Sequence, residues 1–160
     1  MLDLLKKYKI IEYGDFTLKS KEKSNFYVNI KKAISYPYLH KKLCLGIIEK
    51  IKNKDNIMIC GTPYGALSFT SYVSISENIP MVFLRKEAND YGCKNLIEGD
   101  FLHKDLILIE DVVTTGNSVI ESAKILEENG FNIKQIITIF SRNCDELKYK
   151  NIPIEYVMKL

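Results

Sequence analysis

Two adjacent carboxylates, Glu110 and Asp111, stand between an apolar run and a run of small polar residues. The apolar run, residues 106–109, is typical of a buried parallel strand. The polar run, residues 114–118, combines hydroxyls with a glycine, and a helical pattern begins at Val119. In open α/β sheets ligands bind in such loops, and the free backbone N–H groups at a helix start attract anions.

The two acids indicate what kind of ligand this loop would take. They would repel a bare phosphate, but they suit the hydroxyls of a ribose or a divalent metal ion. The stretch therefore predicts one ligand that carries both a sugar and a phosphate. A helix N-cap without any ligand would explain Thr115 or Ser118, but it leaves the two acids unexplained. The common phosphate-loop patterns G-x-x-x-x-G-K-[ST] and G-x-G-x-x-G do not occur in the chain.

Composition narrows the class of protein. A chain of 160 residues that is 46% hydrophobic predicts one domain with a sizeable core. The net charge of +3 is modest and its lysines are spread along the chain, which disfavours nucleic-acid binding. Four widely spaced cysteines indicate free thiols of a reducing compartment. Because neither a signal peptide nor a membrane-spanning run is evident, we expect a soluble, cytoplasmic protein without a membrane partner.

Strands and helices alternate along most of the chain, which predicts a parallel sheet with helices on both faces. The sequence patterns predict strands at 10–18, 26–30, 56–60, 81–84, 106–109, 135–140 and 154–157, and helices at 38–53, 66–77 and 119–129. Residues 85–99 form a charged connection whose length is typical of a functional lid or a disordered segment. We expect one domain, with residues 1–37 as an N-terminal arm or hood and residues 38–160 as the core.

Residues 106–118 also resemble the phosphoribosyl-pyrophosphate (PRPP) signature of type I phosphoribosyltransferases. Further segments resemble orotate phosphoribosyltransferases in order and spacing, and they are residues 16–20, 26–29, 34–37, 61–67 and 85–99. The resemblance covers nearly the whole chain and is closest to the orotate domain of the bifunctional UMP synthases. It implies a type I phosphoribosyltransferase-like α/β fold. It also implies Mg²⁺-dependent conversion of orotate and PRPP to orotidine 5′-monophosphate and pyrophosphate, a step of pyrimidine biosynthesis.

The resemblance further implies a role for each site residue. The residues implied in catalysis are Lys86, Asp111, Asn89 and Lys94. Those implied in PRPP binding are Arg85, Glu110, Asp111, Val112, Val113, Thr114, Thr115, Gly116, Asn117 and Ser118, together with Thr62, Pro63, Tyr64 and Gly65. Those implied in orotate binding are Lys19, Phe26, Tyr27, Thr114 and Arg142. Mg²⁺ would arrive mainly with PRPP, with Asp111 as the candidate protein ligand, and the protein would form a homodimer with shared active sites.

Some of these residues have simpler interpretations. Phe26 and Tyr27 alternate on a predicted strand, so one of them would belong to the core whatever the function. Lys19 and Lys86 alone would be solvated surface lysines, and Arg142 alone could form a surface ion pair.

Two alternatives stay open, and a departure from the family pattern supports the first. Asn89 stands where the family usually has a lysine, and an amide can donate a hydrogen bond but carries no charge. A weakly active or non-catalytic PRPP- or nucleotide-binding homologue is therefore one alternative. A phosphoribosyltransferase for another base is the second, which Arg142 disfavours because a purine has no carboxylate to pair with it.

Overall fold

The computed structural model describes residues 1–17, 23–87, 96–142 and 147–159. The predictions made for Lys19, Asn89 and Lys94 concern residues outside these ranges. The helices are α1 (Leu2–Lys7), α2 (Pro37–Lys50), α3 (Leu67–Glu77) and α4 (Asn117–Glu128), with a 3₁₀ helix at Ile30–Ser35. The strands are β1 (Ile11–Thr17), β2 (Lys23–Val28), β3 (Ile57–Gly61), β4 (Met81–Leu84), β5 (Ile97–Glu98), β6 (Asp105–Val113), β7 (Asn132–Ser141), β8 (Lys148–Tyr149) and β9 (Ile152–Lys159).

Seven strands form one sheet in the order β5-β4-β3-β6-β7-β9-β8. The five central strands pair in parallel, whereas the short edge strands β5 and β8 pair antiparallel with their neighbours. The prediction of an α/β fold built on a parallel sheet is confirmed. Among the described helices, none is long and apolar enough to cross a membrane.

The buried strands serve two cores, one on each face of the sheet. In β6, Ile107 and Ile109 belong to the core that includes residues of α2 and α3. The alternate residues Leu106 and Leu108 belong to the core that includes Val119 and other residues of α4. Successive side chains of a strand point to opposite faces, so a continuous apolar run supplies both cores and holds β6 in the middle of the molecule.

The N-terminal region forms a separate two-stranded antiparallel sheet, in which Ile11 of β1 is paired with Val28 of β2. Both of these residues are buried in the core that also contains Ile30 and residues of α2. The prediction of a strand over 26–30 needs correction, since β2 ends at Val28 and the 3₁₀ helix begins at Ile30. The 3₁₀ helix itself contacts β6, where Nζ of Lys31 lies 3.7 Å from Oδ2 of Asp111.

Most predicted elements differ from the structure by one to three residues at an end, and two differences bear on the site. Strand β6 continues to Val113 because residues beyond Ile109 still pair with β7, as Val112 does with Phe140. The connection over 85–99 contains a short edge strand, β5, that pairs with β4. A two-residue strand shows no periodicity, which is why the sequence pattern did not reveal it.

Candidate active site

The carboxyl ends of β3, β4 and β6 lie side by side, because these strands are parallel neighbours. They bring together the segment 62–65, the pair Arg85 and Lys86, and the segment 110–118. A cavity of about 340 Å³ opens at the end of β6. Its lining contains nearly all of the predicted segment, namely Glu110, Val112, Val113, Thr114, Thr115, Gly116, Asn117 and Ser118, followed by Val119 and Glu121.

Glu110 is buried at the edge of this cavity, with 5% of its surface exposed. Its Oε1 accepts hydrogen bonds from the Thr62 hydroxyl at 2.6 Å and from the Asp111 backbone N–H at 3.0 Å. Burial, followed by the hydrogen bond with Asp111 and its charge, raises the pKa of Glu110 to about 8. In the ligand-free protein Glu110 therefore holds a proton near neutral pH.

Asp111 lies between two chain segments from elsewhere in the sequence. Its Oδ1 accepts a hydrogen bond from the Val112 backbone N–H at 2.9 Å, and its Oδ2 is 3.7 Å from Nζ of Lys31. The backbone of Gly65 passes so close that a Cβ at this position would overlap the Asp111 carboxylate. Only glycine allows this approach, which brings the segment 62–65 directly against the acid pair.

The sequence analysis did not identify Lys31, which is followed directly by a second lysine, Lys32. In the structure the two lysines diverge. Lys31 approaches Asp111, whereas Lys32 forms an ion pair with Glu12 at 2.7 Å. The sequence offered a weak signal, because this basic pair lies within the predicted arm, but no local pattern distinguishes the two lysines.

The start of helix α4 supplies an anion-binding feature. Gly116 is its N-cap residue and has a left-handed backbone, with φ +83°, which a side chain would disfavour. No described side chain forms a capping hydrogen bond at this helix start. Neither Thr115 nor Ser118 therefore acts as the N-cap that the simpler interpretation required. Residues 117–119 at the start of α4 line the cavity, where an anion would satisfy the free backbone N–H groups of the first helical turn.

The two basic residues after β4 have different surroundings. The ammonium of Lys86 lies over the ring of Tyr64, 5.0 Å from its centroid, so Lys86 is beside the segment 62–65. Arg85 is turned toward β5, where its Nε donates to Glu98 at 2.5 Å. Of the two, Lys86 is the nearer to where a ligand at segment 62–65 would lie.

Arg142 joins the N-terminal sheet to the core. It is 8% exposed, and its backbone N–H donates to the Val113 carbonyl at 2.9 Å. Its Nη2 donates to the Ser24 hydroxyl at 2.5 Å and to the Phe26 carbonyl at 2.7 Å. A surface ion pair therefore does not describe this residue. Phe26 packs against the core, whereas Tyr27 on the opposite face of β2 is 41% exposed.

Comparison with known proteins bears on what this site does. No family model matches the chain. The orotate phosphoribosyltransferase of Methanocaldococcus jannaschii is 37% identical over 167 residues, which cover 100% of this chain and 94% of that protein. The chain belongs to the orotate phosphoribosyltransferase family. The orotate phosphoribosyltransferase of Methanosphaera stadtmanae is 34% identical and covers 89% of the chain and 80% of its own length.

Solved structures show the same fold. An orotate phosphoribosyltransferase from Aeropyrum pernix superposes with a TM-score of 0.86 at 22% identity, covering 100% of this chain and 94% of that one. A UMP synthase from Leishmania donovani gives a TM-score of 0.84 at 26% identity and covers 99% of this chain but 35% of that longer one. The predicted type I phosphoribosyltransferase fold is confirmed, whereas the roles of individual residues stay predictions.

The acid pair can be compared with the ligands that Mg²⁺, the metal expected from the family resemblance, usually has in proteins. Among the described residues, no group of three or more His, Cys, Asp and Glu side chains is placed to hold a metal ion. Mg²⁺ is commonly held by one or two carboxylates together with substrate phosphates. Glu110 and Asp111 therefore fit an ion that is carried in by a phosphorylated substrate, with Asp111 as the more exposed of the two.

Proposed function

We propose that this chain transfers the phosphoribosyl group of PRPP to orotate, giving orotidine 5′-monophosphate and pyrophosphate in pyrimidine biosynthesis. The observation that carries the proposal is the acid pair Glu110–Asp111. It lies between the close approach of Gly65 and the uncapped start of α4. A ribose between a 5′-phosphate and a pyrophosphate has the chemistry that these three features recognise.

The acid pair would act on the ribose. As the bond from the anomeric carbon to pyrophosphate breaks and the bond to the orotate nitrogen forms, the sugar gains oxocarbenium character. Catalysis then consists mainly of positioning and of stabilising this positive charge. Glu110 and Asp111 would accept hydrogen bonds from the ribose hydroxyls. A cation close to a carboxyl group lowers its pKa, so Glu110 would lose its proton in the complex and both acids would support the positive charge.

The phosphate groups would lie on either side of the acid pair. The backbone and hydroxyls of residues 114–118 would hold the 5′-phosphate at the start of α4, where the helix dipole favours an anion. The segment 62–65 would hold pyrophosphate through its backbone, with Lys86 and Arg85 nearby to balance its charge. Mg²⁺, when bound, would neutralise part of the pyrophosphate charge, and Asp111 is the residue that would contact it.

The base would lie between the N-terminal arm, residues 1–37, and the core, residues 38–160. The rings of Phe26 and Tyr27 would line its site together with Thr114 and Lys19. The guanidinium of Arg142 would pair with the orotate carboxylate, since its planar fork suits bidentate binding. The contacts of Arg142 with Ser24 and Phe26 support this proposal, because they hold the fork at the boundary between arm and core.

We also propose that the protein is a cytoplasmic homodimer in which the loop containing Asn89 and Lys94 reaches the partner's site.

The proposed activity is tested by incubating the protein with orotate, PRPP and Mg²⁺ and measuring the loss of orotate by its absorbance. Hypoxanthine and uracil serve as control bases. We expect the protein to consume orotate and neither of the control bases. Glu110→Gln combined with Asp111→Asn should abolish this activity and weaken PRPP binding in calorimetry. Unchanged PRPP affinity in that variant would contradict the proposed site.

A second candidate is a PRPP-binding homologue with little or no turnover. Asn89 favours it, because the loop lacks the cation that the family pattern has there. Calorimetry and the orotate assay together separate the two candidates. Binding of PRPP without consumption of any base would support the second one, and binding with orotate turnover would support the first.

A further inference from the structure

Thr62 is buried at the junction of β3 and the segment 62–65, with 1% of its surface exposed. Its backbone N–H donates to the Ile109 carbonyl at 3.0 Å, and its hydroxyl donates to Glu110 Oε1 at 2.6 Å. Both hydrogen bonds go to β6, and Thr62 is not among the described residues that line the cavity. The hydroxyl of Thr62 is therefore engaged by the acid pair.

The contacts of Glu110 indicate what this hydroxyl does. Oε1 is held by two donors, the Thr62 hydroxyl and the Asp111 backbone N–H. Glu110 nevertheless lines the cavity. Both donors bind Oε1, and no donor among the described residues is hydrogen-bonded to Oε2. Without the Thr62 hydroxyl, rotation of the carboxylate would cost less and the geometry of the acceptor would be less defined.

We propose that Thr62 is a positioning residue, whose hydroxyl fixes the Glu110 carboxylate so that its second oxygen accepts a hydrogen bond from the ribose. This inference rests on the proposed function, because it takes the ribose as the ligand of Glu110. It replaces the direct contact with PRPP that the sequence predicted for Thr62. It also links the segment that would hold pyrophosphate to the residue that would hold the sugar.

Two probes distinguish the indirect role from a direct one. PRPP carries both ribose and pyrophosphate, whereas ribose 5-phosphate lacks the pyrophosphate. If Thr62 acts through Glu110, Thr62→Val should weaken both probes equally, by about tenfold, which is typical for loss of a hydrogen bond to a charged group. If Thr62 contacted pyrophosphate, only PRPP binding would weaken.

The experiment is calorimetry of both probes on the full chain, with thermal melting to establish that each variant is folded. Thr62→Ser keeps the hydroxyl and should restore both affinities to within about twofold of wild type. Thr70→Val is the matched control, since Thr70 is also fully buried but its hydroxyl donates to the carbonyl of Ala66, the N-cap residue of α3. It should leave both affinities unchanged. In steady-state kinetics, Thr62→Val should raise the KM for PRPP and leave that for orotate unchanged.

A double-mutant cycle completes the test. In a Glu110→Ala background, Thr62→Val should have no further effect, because the residue through which it acts is gone. An undiminished effect in that background would overturn the inference. So would a loss confined to PRPP, or a folded Thr62→Ser variant that fails to restore binding. If the wild-type chain binds neither PRPP nor ribose 5-phosphate, both the proposed function and this inference are wrong. If the wild-type chain binds them but a variant gives one of the three contrary results above, only the inference is wrong.

Discussion

The guanidinium of Arg142 stacks on the ring of Phe26, with its central carbon 4.1 Å from the ring centroid. The same side chain donates to the Phe26 carbonyl and to the Ser24 hydroxyl. One arginine at the end of β7 thus holds three groups of strand β2. Burial lowers the pKa of the Arg142 guanidinium from its ordinary value, but the group stays charged at neutral pH.

Replacement of this arginine should affect orotate far more than PRPP. Arg142→Ala removes the cation proposed to pair with the orotate carboxylate, so we expect the KM for orotate to rise by roughly tenfold or more. Steady-state kinetics with each substrate varied in turn gives the comparison. Ser24→Ala is the control, because it removes one partner of Arg142 and leaves the cation in place. Equal increases in both Michaelis constants would mean that Arg142 has only a structural role, holding the N-terminal arm against the core.

Stability of the ligand-free protein should depend on pH through Glu110. Its pKa in the folded protein, about 8, lies above the ordinary value of 4.5. Between these values the folded state binds more protons than the unfolded state, so the free energy of unfolding should fall as pH rises from about 5 to about 8. Below this range the carboxyl is protonated in both states, and above it the carboxyl is ionised in both.

Thermal melting across this range in metal-free buffer checks the dependence. The glutamine in Glu110→Gln cannot ionise, so this variant should lose the fall in stability between about pH 5 and about pH 8 that comes from Glu110. Glu121→Gln, which removes an exposed carboxylate from the same cavity, is the control and should keep it. Identical slopes for wild type and Glu110→Gln would contradict the prediction.

Lys31 should contribute to PRPP binding although no sequence motif marks it. Its side chain is 59% exposed and its Nζ is 3.7 Å from Asp111, so a polyanion at the acid pair would gain a nearby cation. We expect Lys31→Ala to raise the KM for PRPP up to about fivefold, the scale of an exposed charge interaction. Lys32→Ala is the matched control, since Lys32 pairs with Glu12 instead. Equal effects of the two changes would indicate a general loss of positive charge.

Asn89→Lys tests the departure from the family pattern. If this loop closes over the substrates, a lysine at position 89 would add charge stabilisation chiefly in the transition state. The catalytic constant should then rise more than the PRPP dissociation constant changes. Single-turnover kinetics and calorimetry give the two quantities. If Asn89→Lys leaves the catalytic constant unchanged while Lys94→Ala abolishes activity, then Lys94 is the loop residue that stabilises charge in the transition state.

Shared active sites should be detectable by mixing inactive variants. Light scattering at micromolar concentration should give the mass of a dimer. An Asp111→Asn variant and a Lys94→Ala variant, each impaired alone, should regain part of the activity when subunits exchange, because one site of the mixed dimer would have both residues intact. A monomer in solution, or no recovery after proven exchange, would contradict the proposal.

The sequence by itself determined the local features of the site. An apolar run, two acids and a Thr-Thr-Gly segment predicted a buried strand and a ligand loop, because periodicity and turn chemistry act within a few residues. The alternation of strands and helices predicted the parallel sheet for the same reason. Family resemblance then predicted a substrate for the site.

Only the tertiary structure decided which residues meet. Thr62 and Glu110 are 48 residues apart, and Arg142 is 118 residues from Ser24, so no local pattern relates them. Their contacts depend on the order of strands in the sheet and on how the arm packs against it. The same packing separates Lys31 from Lys32, two identical neighbours in the sequence, because the 3₁₀ helix brings one to Asp111 and the other to Glu12.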